Sequence, residues 1–271
     1  MISGEFDLSI GSLIGFSSMS LTLLTVETNL TMPVASLITL IMVLIIGYYN
    51  GITVVKSGLP SFIITLGALF MIRGFTIAIS KIITGRTQIG GIEESKGFNI
   101  MSSVFSNHLT IAGTNFPISI FWWMLFGVLG YFLLKHTQFG NWIFATGASQ
   151  ESAKLMGIPV QKVKISLFML TAFCSWFIAV TQVTTFGGAD VLRGEQKEFI
   201  AIIAVVIGGT LLTGGYGSII GAMIGALIFG IVKQGIIFAG VDADWFQVFM
   251  GVMLVSAVLV NGAFRKKYAQ G

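Results

Sequence analysis

The sequence predicts an all-α membrane protein: a polytopic transmembrane helix bundle of about eight segments, with broken or re-entrant helices among them. Composition is the first reason, because 55% of the 271 residues are hydrophobic and only 10% are charged. A soluble domain usually carries about a quarter charged residues. The second reason is that the apolar residues form runs close to the roughly 20 residues that a membrane helix needs. We therefore expect residues 1–271 to form a single integral-membrane domain.

Eight apolar segments meet or approach this length. They are residues 8–26, 33–55, 60–80, 117–134, 165–183, 199–212, 217–238 and 246–260. The sixth is short for a full crossing. The first and third are candidates for broken or re-entrant helices.

The distribution of Lys and Arg favours one orientation in the membrane. Cytoplasmic loops of membrane proteins carry an excess of these residues. With the polar segment at about 135–164 and the carboxyl-terminal tail inside, eight Lys and Arg residues lie in the cytoplasm and five lie outside. We therefore expect 135–164 to be a cytoplasmic loop, and about 81–116 to be an outside segment that packs on the outer face.

A compact helical pattern lies within the polar segment 135–164 and would suit contact with a soluble partner. Leu155 and Met156 are candidates for an apolar anchor, and Glu151 and Lys154 for contacts at the rim. The alternative is an ordinary solvated connector. The residues of this candidate loop are Ser149, Gln150, Glu151, Ala153, Lys154, Leu155, Met156, Gly157 and Ile158.

Polar residues inside or beside apolar segments are candidates for mechanism. A cation in a span costs about 2.5–3.5 kcal/mol on insertion scales, so Arg73 should face the bundle or a wet cavity. It either pairs with a carboxylate or with backbone carbonyls, or it contacts a solute. Asp7 either caps the helix that follows or belongs to a translocation path. The candidates for that path are Asp7, Ser9, Phe62, Thr65 and Arg73.

Small residues recur every four positions in the apolar segment 217–238, at Gly217, Gly221 and Gly225. This spacing lets two helix backbones approach closely in a membrane. It predicts helix packing, either within the chain or at a dimer interface.

Patterns of catalysis and cofactor binding are absent from the sequence. It contains no P-loop, so the chain does not hydrolyse ATP by that route. His108 and His136 fall on opposite predicted sides, and Cys174 is the single cysteine. We therefore predict no catalytic residue, no metal and no cofactor. The Lys and Arg residues form no continuous basic stripe, which argues against nucleic acid as a partner.

Four strings together resemble the permease subunits of ABC importers of the ribose, xylose and galactose type. GEFDLSIGS is similar to the family segment G-G-I-D-L-S-V-G-S, and GLPSFIITLGALFMIRG to P-x-F-I-x-T-L-G…R-G. GASQESAKLMGI resembles the loop G-x-N-x-x-A-A-R-L-x-G-I, with Ser149, Ser152 and Lys154 departing from it. EFIAIIAVVIGGTLLTGGYGS is the most specific match. The resemblance covers nearly the whole chain.

This resemblance implies a multi-pass permease of the bacterial inner membrane. It implies two ATP-binding cassette subunits, a second permease subunit in a homodimer or a heterodimer, and an outside substrate-binding protein that delivers a sugar. The loop at 149–158 would then couple the ATPase to the helices in the bilayer. Family members usually carry another membrane segment before the first motif, so we expect this chain to begin late.

Three alternatives stay open from the sequence. The same architecture could carry branched-chain amino acids or nucleosides. The chain could be an ion-coupled secondary transporter, or a scaffold that transports nothing.

Overall fold

The computed structural model of the protein describes residues 1–111, 113–242 and 245–269, with side chains described as far as residue 259. Within these residues helices dominate and strands are short. The helices are α1 (Ile10–Val26), α2 (Met32–Ser57), α3 (Ser61–Thr84), α4 (Phe98–Phe105), α5 (Ile118–His136), α6 (Gln138–Ala148), α7 (Gln150–Leu155), α8 (Val160–Phe186), α9 (Lys197–Ile207), α10 (Ile219–Phe238) and α11 (Trp245–Ala269). The strands are β1 (Gln88–Gly90), β2 (His108–Ile111), β3 (Thr114–Pro117) and β4 (Gly188–Asp190), with a 3-10 turn at Ile92–Glu94.

Each of the eight predicted apolar segments coincides with a helix, which confirms the all-α membrane fold class. In the described part of the chain, five helices are long and apolar enough to cross a membrane: α2, α3, α5, α8 and α10. The sixth predicted segment is indeed short, since α9 has 11 residues. The third is one continuous helix of 24 residues, so the break considered there does not occur.

Proline and glycine set the ends of α2 and α3. Pro33 lies in the first turn of α2, where a missing N–H costs nothing, and Pro60 immediately precedes α3. Gly58 and Gly85 end the two helices in the left-handed conformation, with φ of 67° and 69°. Glycine adopts this conformation without the steric cost of a Cβ. The turn between α2 and α3 is therefore only three residues long.

The chain divides into two compact units. The first unit comprises Met1–Glu5, Phe126–Val163 and Phe199–Gly271, and the second comprises Phe6–Leu125 and Lys164–Glu198. That the whole chain forms a single domain stays a prediction.

The second unit has a core to which helices and loop segments both contribute. Leu21 of α1, Met32 of α2 and Val183 of α8 are fully buried in one cluster with Ile92 from the 3-10 turn. The rings of Phe105 and Phe177 add an aromatic contact with centroids 5.1 Å apart. Burial of these side chains ties the segment after α3 to the helical core.

The segment between α3 and α5 folds back onto this core. Strand β1 pairs antiparallel with β4, with Gln88 opposite Asp190. The N–H of Met32, at the start of α2, donates to the carbonyl of Lys96 at 2.9 Å. Strands β2 and β3 form a separate hairpin. That residues 81–116 form an outside segment packed on the outer face stays a prediction.

Candidate functional site

The polar segment 135–164 contains two short helices with capped starts, α6 and α7. Thr137 precedes α6, and its Oγ1 accepts the N–H of Gly140 at 3.1 Å. Ser149 precedes α7, and its Oγ accepts the N–H of Ser152 at 3.2 Å. Such caps satisfy N–H groups that have no partner within a helix, and each typically contributes about 1 kcal/mol. The polar residues of this loop thus define the beginning of each helix.

Helix α7 ends in a tight turn. The N–H of Ile158 donates to the carbonyl of Ala153 at 3.0 Å, and Gly157 has φ of 79°. Pro159 follows and cannot continue the helix. Residues 149–158 therefore form a defined structural element.

The side chains of α7 divide into one buried contact and an exposed surface. Ala153 is fully buried, whereas Leu155 is 85% exposed and Met156 is 68% exposed. The exposed polar residues beside them are Ser149, Gln150, Glu151 and Lys154. An apolar pair ringed by polar side chains suits a protein contact, because apolar anchors supply most of the binding energy and polar residues form the rim.

A segment without regular secondary structure precedes α1 and is hydrogen-bonded to helices α3 and α8. The N–H of Phe6 donates to Ser61 Oγ at 2.9 Å, and the N–H of Leu8 donates to Thr65 Oγ1 at 3.1 Å. Ser61 and Thr65 lie one turn apart at the start of α3. These side chains satisfy backbone groups that no helix satisfies, which an apolar environment requires.

Asp7 joins the start of α1 to α8. Its Oδ1 accepts the N–H of Ser9 at 3.0 Å and the hydroxyl of Ser9 at 2.6 Å. Its Oδ2 accepts the hydroxyl of Thr171 at 2.5 Å. The amide of Asn50 in α2 donates to Ser9 Oγ at 3.0 Å. The carboxyl group therefore bridges Ser9, the residue that precedes α1, and Thr171 of α8.

The candidates for a translocation path thus differ in accessibility within this chain. Ser9 and Thr65 are fully buried and engaged in hydrogen bonds. Asp7 is half-buried and its two oxygens already have partners. Phe62 is 50% exposed. The structure brings Asp7, Ser9 and Thr65 together as a packing network, and their part in a path stays a prediction.

Arg73 in α3 pairs with Glu195, as one of the two interpretations from sequence anticipated. The distance from Nη1 to Glu195 Oε1 is 3.4 Å. The Glu195 side chain is 52% exposed, so the pair reaches an accessible region. The Nε and Nη2 of Arg73 are buried and have no partner among the described atoms.

The small residues of α10 face α9 inside the first unit. A methyl group on Gly221 would lie 2.1 Å from the carbonyl oxygen of Gly208, and one on Gly225 would lie 1.9 Å from that of Ala204. Gly217, which precedes α10, lies against the side chains of Ile2 and Thr210. Gly221 and Gly225 therefore allow two backbones to meet within the chain.

Sequence reasoning missed several partners in these networks. Thr171, Asn50 and Ser61 complete the polar segment around Asp7, and Glu195 completes the pair with Arg73. A polar side chain within an apolar span was the available signal for the first two. Within the described residues, no group of three His, Cys, Asp or Glu side chains could hold a metal ion.

Comparison with known proteins gives matches over almost the whole chain. A family model described as "Branched-chain amino acid transport system / permease component" matches residues 1–258. The autoinducer 2 import system permease protein LsrD of Photorhabdus laumondii subsp. laumondii is 33% identical over 259 residues, covering 96% of this chain and 75% of the relative. The ribose import permease protein RbsC of Escherichia coli K12 is 29% identical over 262 residues, covering 96% and 78%. No solved structure matched significantly.

These matches confirm the resemblance that the four sequence motifs indicated. Together with the apolar helices, they identify a multi-pass protein of the inner membrane that acts as a translocation subunit and not as an enzyme. The chain belongs to the family of branched-chain amino acid transport system permease components.

Proposed function

We propose that this chain is the membrane-spanning subunit of an ATP-driven importer and that it carries a simple sugar. Its partners would be two ATP-binding cassette subunits, a second permease subunit and a substrate-binding protein. The observation that carries the coupling assignment is the exposed apolar pair Leu155 and Met156 on α7.

Helix α7 is suited to receive force from a soluble subunit. Its start is fixed by the Ser149 cap and its end by the turn at Gly157. Ala153 is buried within the chain, whereas the side chains of Leu155 and Met156 are exposed. A partner that buries these two side chains gains apolar contact without any rearrangement of the loop. Glu151 and Lys154 would then lie at the rim of the contact.

Co-purification tests the docking assignment. In the full importer, Leu155→Asp with Met156→Asp should reduce recovery of the ATPase subunit by at least about tenfold, because buried carboxylates replace apolar anchors. The matched control is Leu59→Asp, which changes a half-exposed leucine in the turn between α2 and α3. The control should retain the ATPase. Recovery of the ATPase at the wild-type level with the α7 variant would contradict the assignment.

The solute class rests on the relatives. One relative is named for import of ribose and another for import of autoinducer 2, whereas the family description refers to branched-chain amino acids. We favour the sugar class because RbsC aligns over nearly all of this chain. Uptake of labelled ribose, autoinducer 2 and leucine by cells that express the complete importer separates these classes. Saturable uptake of leucine alone would refute the sugar proposal.

An ion-coupled transporter makes a different prediction. The carboxyl group of Asp7 is occupied by Ser9 and Thr171, which favours a structural role over ion coupling. Uptake by vesicles that contain this chain alone, driven by an ion gradient without ATPase subunits, would overturn the ATP-driven proposal.

A further inference from the structure

Four glycines from three separate parts of the first unit meet at one point beside α7. Gly4 lies in the amino-terminal segment, Gly147 at the end of α6, and Gly214 and Gly215 in the turn that joins α9 to α10. We call this set the glycine junction. Gly147 is two residues before the cap of α7, so the junction adjoins the candidate coupling helix.

At the centre of the junction is a backbone hydrogen bond that only a glycine can approach. The N–H of Gly215 donates to the carbonyl of Ile2 at 2.8 Å. A methyl group on Gly147 would lie 1.8 Å from that carbonyl oxygen and 2.6 Å from the Gly215 nitrogen. Any side chain at position 147 would therefore displace the hydrogen bond itself.

The other three glycines are constrained by backbone conformation. Gly4, Gly214 and Gly215 have φ of 82°, 81° and 76°, a region that side chains disfavour. A methyl group on Gly214 would also lie 2.7 Å from the Cα of Gly4, and one on Gly215 would lie 3.0 Å from the Cα of Ala148. Three chain segments thus touch through main-chain atoms.

We propose that the glycine junction transmits movement of α7 to the turn between α9 and α10 and to the amino-terminal segment. This inference rests on the proposed function, because it takes α7 as the element that the ATPase moves. Main-chain contacts contain no flexible side chain that could absorb a displacement, and close-packed interiors transmit strain. A shift of Ala148 must therefore shift Gly215 as well.

The junction also explains a feature of the sequence. Gly4, Gly147 and the pair Gly214–Gly215 fall in three of the four strings that carry the family resemblance, far apart along the chain. The structure brings all three strings to the same backbone contact. The glycines of the three strings therefore permit the same close contact between backbone segments.

Distances between spin labels test whether the parts move together. The labels are placed at Lys154 on α7, at Tyr216 in the turn and at Lys81 on α3, in pairs, in a Cys174→Ser background and in the complex with ATPase subunits. Between the nucleotide-free state and the state trapped with ATP and vanadate, the 154–216 distance should change by less than about 2 Å, the scale of small helix shifts. The 154–81 and 216–81 distances should both change by more than that.

Two outcomes would overturn the proposal. One is a 154–216 distance that changes by more than about 2 Å, because α7 would then move independently of the turn. The other is a set of three unchanged distances, because there would be no movement to transmit. If wild-type permease fails to retain the ATPase at all, it is the proposed function that fails, and the two failures are therefore distinguishable.

Gly147→Ala supplies a functional readout. Uptake per ATP hydrolysed should fall by about tenfold, because the methyl group would displace the hydrogen bond between Gly215 and Ile2 and loosen the contact through which movement passes, while the ATPase subunit is recovered at the wild-type level. The matched control is Gly230→Ala in α10, where a methyl group meets nothing within 4 Å. Equal uptake per ATP hydrolysed in Gly147→Ala and Gly230→Ala would overturn the proposal. If Gly147→Ala does not fold, the label distances in the otherwise wild-type chain decide.

Discussion

Replacing Gly225 with alanine should force α9 and α10 apart. The added methyl group would lie 1.9 Å from the carbonyl oxygen of Ala204, whereas ordinary contact begins at 3.4 Å. The oxygen would have to retreat by about 1.5 Å, and it belongs to helix backbone that cannot rotate away. Overpacking of this kind costs about 1–3 kcal/mol.

Gly230, another glycine of α10, provides a control without this steric strain. Gly230 is exposed, and a methyl group there meets nothing within 4 Å. Both substitutions gain the same helix propensity, about 1 kcal/mol for alanine over glycine. The difference between Gly225→Ala and Gly230→Ala therefore reports the contact with α9 alone.

Unfolding in mixed detergent micelles, followed by helical circular dichroism as sodium dodecyl sulfate is titrated, measures the two free energies. We expect Gly225→Ala to unfold with a free energy about 1–3 kcal/mol below that of Gly230→Ala. If the two variants agree within about 0.5 kcal/mol, the close packing of α9 against α10 is refuted.

Two further predictions concern the polar contacts of the second unit. Thr171→Val removes the hydroxyl that donates to Asp7 Oδ2 and should lower the free energy of unfolding by about 1–2 kcal/mol in the same titration. Thr185→Val, an exposed position on the same helix, is the control and should change it by less than about 0.5 kcal/mol, and equal losses would refute the bridge. Glu195→Gln removes the carboxylate that pairs with Arg73, although the charge of Glu198 still acts on this arginine, and it should cost about 1 kcal/mol or less because Glu195 is half-exposed. Combining Glu195→Gln with Arg73→Gln should recover part of that loss in a double-mutant cycle, and additive losses would show that the two charges do not interact.

The sequence predicted the helices well because the bilayer imposes a simple rule on length and polarity. Segments such as 33–55 and 217–238 correspond closely to α2 and α10. The capped helix α7 was also foreseeable, since Ser149, Gly157 and Pro159 mark its ends locally. These features depend on residues that are near one another in the chain.

Contacts between distant residues could not be predicted in this way. Thr171 meets Asp7 across 164 positions, and nothing in the local pattern of α8 selects that threonine from its neighbours. The pairing of β1 with β4 involves strands of three residues each, too short to give an alternating pattern. The need for glycine at position 147 likewise depends on contacts with Ile2 and Gly215, which are distant in the sequence.

The β1–β4 pairing has a consequence for how the chain is made. Gln88 is synthesised about a hundred residues before its partner Asp190, so β1 must wait unpaired while α5 to α8 emerge and insert. Contacts of such long range form late, because the entropy of closing the intervening loop has to be overcome first. We therefore expect a ribosome-bound intermediate that ends before residue 188 to be protease-sensitive after α3 and to become resistant once β4 has been translated. The second unit, which contains both strands, therefore completes its folding only after β4 has been made.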